Sequence, residues 1–309
     1  MNISPESHAH WLENRQHPPF GGPGNEFSLQ HLRLMMEGRQ EPADPRTQCH
    51  PTRIDDIPGE WVLAPGADPQ VRLLYLHGGG YVSGSGGNYL PFAALLSAAA
   101  KCAVLLIDYR LAPEHPFPAG LEDCTQAHEW MREHGPHGPA LARATFIAGD
   151  SAGGGLTLAT LLALRDRGLM LPAAGIPLSA FTDMTLASES IHTQADRELF
   201  MHPGCLPEFV QLYLAGGDPY DPHASPVFGD YTGIPPLLIQ VGDFEVIRDD
   251  SVRVAAKARA DGARVTLEVW PGQCHVFQIR GLPESQAAII HIADFMRVTL
   301  ENPETERDV

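Results

Sequence analysis

The sequence predicts an α/β fold: eight strands in a mostly parallel sheet, helices on both faces, and a cap. Three observations predict it. From about residue 50 onward, short β-rich runs alternate with helical patterns, the rhythm of strands joined by covering helices. Runs such as Ala103–Asp108 (Ala-Val-Leu-Leu-Ile-Asp) are apolar without alternation, as suits strands covered on both sides. Two stretches, residues 1–48 and 181–233, break the rhythm and lie outside the sheet pattern.

Taken in order, Thr52–Ile57 and Glu60–Ala64 read as an antiparallel pair, with Pro58-Gly59 as the turn signal. Arg72–Leu76 and Ala103–Asp108 follow as buried strands, the second leading to a helix through Leu121–Glu133. Thr145–Ala148 runs into a helix from about Ala152 to Arg167, and Ala174–Leu178 comes next. Leu237–Val241 precedes a helix over Ser251–Asp261 that stops at Gly262. Val265–Val269 is the last strand, followed by a helix near Glu284–Thr299. Residues 1–48 are rich in Pro, Gly and His and hold one helix, on which Leu29, Leu32, Met35 and Met36 share a face. Residues 181–233 are polar and turn-rich, with a short helix near Pro207–Leu214. The expected organisation is an N-terminal cap segment (1–48), the first part of the α/β domain (49–180), a cap insertion (181–233) and the second part of the domain (234–309). A surface arm is the alternative for the two irregular stretches.

Composition narrows the function classes. The chain has 309 residues, 43% of them hydrophobic, enough to bury a full core. A formal net charge of −17 repels phosphate backbones, so no nucleic-acid partner is expected. No run of 18 apolar residues is present, so no membrane-spanning helix is expected. The start of the chain shows no basic and apolar leader pattern, and no signal peptide is expected. Cys49, Cys102, Cys124, Cys205 and Cys274 are scattered and odd in number, which predicts free thiols and a cytoplasmic location.

The chemistry concentrates in a few places. Gly149-Asp150-Ser151-Ala152-Gly153 matches G-x-S-x-G, directly after a predicted strand and at the start of a predicted helix. So sharp a turn leaves no room for side chains two residues either side of the serine, and it pushes the hydroxyl out over the sheet. This predicts an α/β-hydrolase fold with Ser151 as nucleophile. His77-Gly78-Gly79-Gly80 follows another strand. Glycines there let backbone N–H groups face a developing oxyanion, and the residue after the nucleophile, Ala152, supplies a second side.

The fold orders its catalytic residues as serine, acid, histidine. Of fifteen histidines, His275 lies in the loop after the last strand, whereas His291 falls within the C-terminal helix. The loop after Leu237–Val241 offers Asp243, Glu245, Asp249 and Asp250. Asp249 and Asp250 open a helix, where capping and the dipole favour acids anyway. Position alone leaves both Asp243 and Glu245 open. His8 with His10, and His134 with His137, lack ligand partners at metal spacing, and no glycine fingerprint for a nucleotide is present. Neither metal nor cofactor is expected.

With these residues the chain resembles the hormone-sensitive-lipase family of esterases. The resemblance runs from about Arg72 to Phe295. It covers His77–Gly80, Asp108-Tyr-Arg-Leu-Ala-Pro-Glu-His-Pro-Phe-Pro118, Gly149-Asp-Ser-Ala-Gly-Gly154, Asp221-Pro-x-x-Ser-Pro226 and His275-x-Phe277. Members often read Asp-Pro-Leu-x-Asp after the acid strand. One branch reads Glu-Val-Leu-Leu-Asp-Asp, close to Glu245-Val-Ile-Arg-Asp-Asp250. The resemblance therefore implies Glu245 as the acid, with Asp243 as fallback. It implies Gly79, Gly80 and Ala152 as the oxyanion hole, with Gly78 able to replace one glycine. It also implies a small-molecule ester substrate with a short- to medium-chain acyl group, or a lactone. An amide or carbamate hydrolase on the same residues is the alternative. A non-catalytic receptor, as in the gibberellin receptors that look like this family, is a third reading, disfavoured by the intact serine, histidine and acid. A homodimer is compatible with all of these.

Overall fold

A computed structural model describes residues 3–14 and 20–302. Among the described residues ten strands are present: β1 Gln48–Ile54, β2 Ile57–Leu63, β3 Asp68–Leu76, β4 Cys102–Ile107, β5 His134–Gly135, β6 Gly138–Pro139, β7 Ala144–Asp150, β8 Ala174–Leu178, β9 Leu237–Gly242 and β10 Val265–Trp270. Eight of them form one sheet in the order β1-β2-β4-β3-β7-β8-β9-β10, and β5 with β6 makes a separate small hairpin. Only β2 runs against its sheet neighbours. The pairings from β4 to β10 are parallel. Every residue of β4, β8 and β9 is buried, which is why those runs are apolar without alternation.

The helices are α1 Pro5–Asn14, α2 Leu29–Met36, α3 Leu90–Ala100, α4 Ala119–Glu133, α5 Ala152–Asp166, α6 Ser190–Thr193, α7 Leu206–Leu214, α8 Arg248–Ala260 and α9 Pro283–Glu301. Residues 152–164 of α5 are all buried, so this helix is the central support of the sheet.

The β5–β6 hairpin and the short helix α6 have no counterpart in the sequence reading, and three further elements differ from it. The β1–β2 turn falls at Asp55-Asp56, not at Pro58-Gly59. Ile54 pairs with Ile57, and Asp55 takes a left-handed φ of 51°, which a short acidic side chain tolerates. Pro58 stays inside β2, where its carbonyl accepts from the Asp108 N–H at 2.9 Å. Helix α3 links β3 to β4. Its Leu-Pro-Phe-Ala-Ala-Leu-Leu-Ser-Ala-Ala-Ala sequence is apolar on nearly every face, so no helical period stands out. The described residues of the N-terminal stretch hold two helices. In α1 only Ser7 is buried, so it too lacks an apolar stripe.

The parallel register sets the stage for the site. Leu76 of β3 pairs with Gly149, and Asp150 of β7 pairs with Leu178 of β8. The segments that begin at His77, Ser151 and Ser179 therefore leave the sheet side by side at its carboxyl edge. The two irregular stretches join above it. Phe20 N–H donates to the Phe200 carbonyl at 3.1 Å, and His202 N–H donates to the Phe20 carbonyl at 2.8 Å. Asp250 is buried and pins the insertion to α8, accepting from the N–H groups of Thr182 and Asp183 and from Ser188 Oγ. Burial pushes its carboxyl up to about 7.

Candidate active site

Ser151 sits between the end of β7 and the start of α5 with φ 53° and ψ −119°. Such a backbone is strained for a non-glycine residue and is held by its surroundings. Its N–H donates to the Leu178 carbonyl, and its carbonyl accepts from Gly155 and Phe181. Gly153 is required by close approach, because a Cβ there would collide with the Leu76 carbonyl oxygen. Ser151 Oγ lies 2.9 Å from Nε2 of His275.

His275 comes from the loop after β10 and is buried. Its Nδ1 lies 3.0 Å from Oε2 of Glu245. The other oxygen of Glu245 accepts from Gly242 N–H at 2.6 Å and from Ser179 Oγ at 2.7 Å, so the fully buried carboxylate is satisfied on both sides. Ser179 Oγ also accepts from the Val276 N–H at 3.2 Å and so ties the acid loop to the histidine loop. Burial alone would depress the imidazole's pKa. The hydrogen bond and charge of Glu245, with the charges of Glu198 and Asp150 behind it, more than offset burial and hold it above the ordinary histidine value.

Asp243 is turned elsewhere. Its Oδ1 accepts from Gly272 N–H at 2.5 Å, bracing the loops that follow β9 and β10. Asp249 accepts from the Ser190 N–H at 3.0 Å. His291 meets Glu268 at 2.9 Å on α9, and His134 stacks on Trp130.

The glycine loop lies against the serine. Gly79 takes φ 120° and Gly80 φ 63°, values a side chain rarely allows. Among the described residues, no hydrogen bond occupies the N–H groups of Gly79, Gly80 or Ala152. Gly78 N–H is already used: it donates to Asp150 Oδ1 and to Tyr89 Oη, each at 3.2 Å. Asp150 is a feature that motif matching passes over. It is buried and accepts from Tyr75 Oη at 2.8 Å and Tyr89 Oη at 2.9 Å. It thereby locks the serine turn to the glycine loop, while burial pushes its carboxyl up. The Asp108–Pro118 stretch finds its purpose here as well. Tyr109 Oη donates to the His77 carbonyl at 2.7 Å, its ring stacks on His77 at 4.3 Å, and Ala112 N–H donates to the Tyr81 carbonyl.

Above these groups opens a cleft of about 530 Å³. Its floor is Ser151, His275, Gly79 and Gly80, and its walls include Phe20, Leu32, Met35 and Met36 from the N-terminal stretch and Leu199, Met201 and Phe209 from the insertion. Leu32 is buried, whereas Met35 is half exposed to the cleft. All five cysteines are free thiols, and burial raises the thiol pKa of Cys274. No helix among the described residues is long and apolar enough to cross a membrane.

An alcohol aligned on an imidazole that is backed by a carboxylate can pass its proton to that imidazole, beside backbone donors free to receive an oxyanion. Known proteins resemble this chain in sequence and fold. The family model described as alpha/beta hydrolase fold matches residues 73–279. An acetyl-hydrolase of Streptomyces hygroscopicus is 44% identical over 241 residues, spanning 77% of this chain and 79% of that protein. An esterase of Acinetobacter venetianus is 31% identical over 257 residues, spanning 82% and 83%. Among solved structures, the esterase EstE5 soaked with p-nitrophenyl butyrate superposes with a TM-score of 0.87 at 40% identity, covering 97% of this chain and all of that one. An esterase from the bacterial hormone-sensitive lipase family gives 0.84 at 38% identity, with 97% and 100% covered. The likeness extends over nearly the whole chain and carries the ester-cleaving relatives with it. The chain belongs to the α/β-hydrolase family, in its hormone-sensitive-lipase branch, and is a carboxylesterase.

Proposed function

We propose that the protein cleaves small carboxylic esters by two-step acyl transfer with Ser151 as nucleophile, His275 as general base and Glu245 as the acid. The observation that carries the reading is the continuous relay from Ser151 Oγ to His275 Nε2 at 2.9 Å and from His275 Nδ1 to Glu245 Oε2 at 3.0 Å. Ser151 Oγ attacks the ester carbonyl carbon as its proton passes to His275. Glu245 holds the imidazole in the tautomer that presents a lone pair to the serine, and it stabilises the imidazolium that forms. The N–H groups of Gly79, Gly80 and Ala152 receive the oxyanion. His275 returns its proton to the leaving alcohol, which departs and leaves an ester of Ser151. A water then repeats the sequence, releasing the carboxylic acid and restoring the serine.

Residues 1–48 and 181–233 act as a cap that shapes the substrate cleft, and 49–180 with 234–309 form the catalytic domain. The acyl groups that this cleft of about 530 Å³ would take are of short to medium length, lactones among the candidates. Two relatives support the short end, since one is named an acetyl-hydrolase and another was soaked with a four-carbon acyl ester. Labelling with a fluorophosphonate tests the nucleophile. The wild-type protein is expected to gain one adduct and lose activity. Ser151→Ala is expected to take no label and to lose on the order of 10⁴–10⁶ in kcat while staying folded. Labelling at another serine, or a folded variant that keeps its activity, would overturn the assignment. A series of p-nitrophenyl esters from acetate upward, with lactones and matched amides, ranks the substrate classes.

A further inference from the structure

The segment that carries His275 is gripped by a carboxylate from outside the sheet domain. Glu198 lies in the 181–233 insertion, 77 positions before His275, and is only 4% exposed. Its Oε2 accepts the backbone N–H of His275 at 3.1 Å. Its Oε1 accepts the N–H groups of Leu199 at 2.9 Å and Phe200 at 3.0 Å. The ring of Phe200 in turn carries the guanidinium of Arg280, whose Cζ lies 3.5 Å from the ring centroid. Arg280 Nη2 reaches the His275 carbonyl at 3.4 Å. Residues 198–200 therefore hold both backbone polar groups of His275, directly through Glu198 and indirectly through Phe200 and Arg280.

We propose that Glu198 is a positioning residue of the esterase reaction, fixing the backbone of His275 and adding a negative charge beside the imidazolium to that of Glu245; this rests on the reading of His275 as the base. A neutral side chain of the same shape serves poorly. A glutamine has one carbonyl oxygen for three N–H donors, and its amide would set donor against donor. The charge matters separately. The groups facing His275 are Glu245 from the loop after β9, Asp150 from the serine turn and Glu198 from the insertion. Glu198 itself faces His275 and Glu245, with Arg280 and the buried thiols of Cys205 and Cys274 around it. Burial and the charge of Glu245 push the Glu198 carboxyl up, opposed by the charge of His275 and the N–H groups of Phe200 and His275, and the Arg280 guanidinium stands close enough to feel its charge.

The test is the pH dependence of kcat/KM on p-nitrophenyl butyrate for the full-length wild type, Glu198→Gln and Glu198→Asp. Glu198→Gln is expected to lower the midpoint of the ascending limb by about half a unit. It should also cut kcat on the order of tenfold or more, with KM changing less than about threefold. Glu198→Asp keeps the charge and loses reach, so kcat should fall while the midpoint stays near that of the wild type. A Glu198→Gln midpoint equal to the wild type's, with kcat intact, overturns the proposal. If Glu198→Gln does not fold, Glu198→Asp decides, and unchanged kcat in that variant overturns it. A wild-type profile with no histidine-like limb would instead refute the His275 reading itself, so the two failures are distinct.

Discussion

Glu245 Oε2 stands 3.0 Å from His275 Nδ1, although Asp243, two residues earlier in the same loop, also offers a carboxylate on a shorter side chain. The longer glutamate reaches because it is anchored at the far oxygen by Gly242 N–H and Ser179 Oγ. Asp243 is spent on Gly272. Glu245→Gln is therefore expected to lower kcat on the order of 10³–10⁴, since the amide favours the unproductive imidazole tautomer. Asp243→Asn is expected to cost less than about tenfold. Steady-state kinetics with circular dichroism as a folding control check this, and the reverse ranking would move the acid to Asp243.

The charge around His275 predicts a pH profile. Its imidazole is held above the ordinary value of 6.5, against burial, chiefly by Glu245. Only the neutral form can take the serine proton, so kcat/KM is expected to rise with pH through a midpoint above about 6.5. The stability contribution runs the opposite way. A histidine with a raised folded-state pKa stabilises the fold fully below its unfolded value, and that stabilisation is lost as pH rises through the folded value. Rates on a neutral ester, with thermal unfolding followed over the same pH range, check both slopes. A flat rate profile from about pH 5 to 9 would argue against a histidine base.

The N-terminal stretch is expected to matter for rate as well as for binding. Arg33 Nε donates to the Val82 carbonyl at 2.9 Å, and its Nη2 donates to the Ala112 carbonyl at 3.0 Å, so α2 braces the loop that follows Gly80. Phe20, Leu32, Met35 and Met36 wall the cleft. Deleting residues 1–40 should raise KM for p-nitrophenyl butyrate and lower kcat/KM on the order of tenfold or more, with far-UV dichroism of the α/β domain retained. Unchanged kinetics would make the stretch a surface arm.

Much of the architecture was legible because parallel strands leave a mark. The unbroken apolar runs of β4, β8 and β9 announce strands covered on both faces, and their alternation with helices announces the crossovers. The elements that escaped lacked such a mark. Helix α3 is apolar nearly all round, and α1 has almost no buried face, so neither shows a helical period. Pro58-Gly59 is a stronger local turn signal than Asp55-Asp56, yet the β1–β2 turn falls at the acidic pair. Pairing with β4 and the Asp108 contact keep Pro58 and Gly59 in β2.

The candidate site divides along the same line. Ser151, Ala152 and the glycine loop His77–Gly80 stand out in the sequence by itself, because a strained turn and a backbone facing an oxyanion demand particular residues next to one another; singling out Gly79 and Gly80 within that loop rests on the family resemblance. His275 was readable from its place after the last strand. Tertiary structure put Glu245, and not Asp243, within hydrogen-bond distance of His275, and it brought in Asp150 with its two tyrosines, Ser179 and Glu198. Those contacts join Tyr75 to Asp150, Ser179 to Glu245, and Glu198 to His275 across 75, 66 and 77 residues of chain. A hydrogen bond between side chains brought together by sheet register imposes no pattern on either residue's neighbours, so only the folded arrangement determines it.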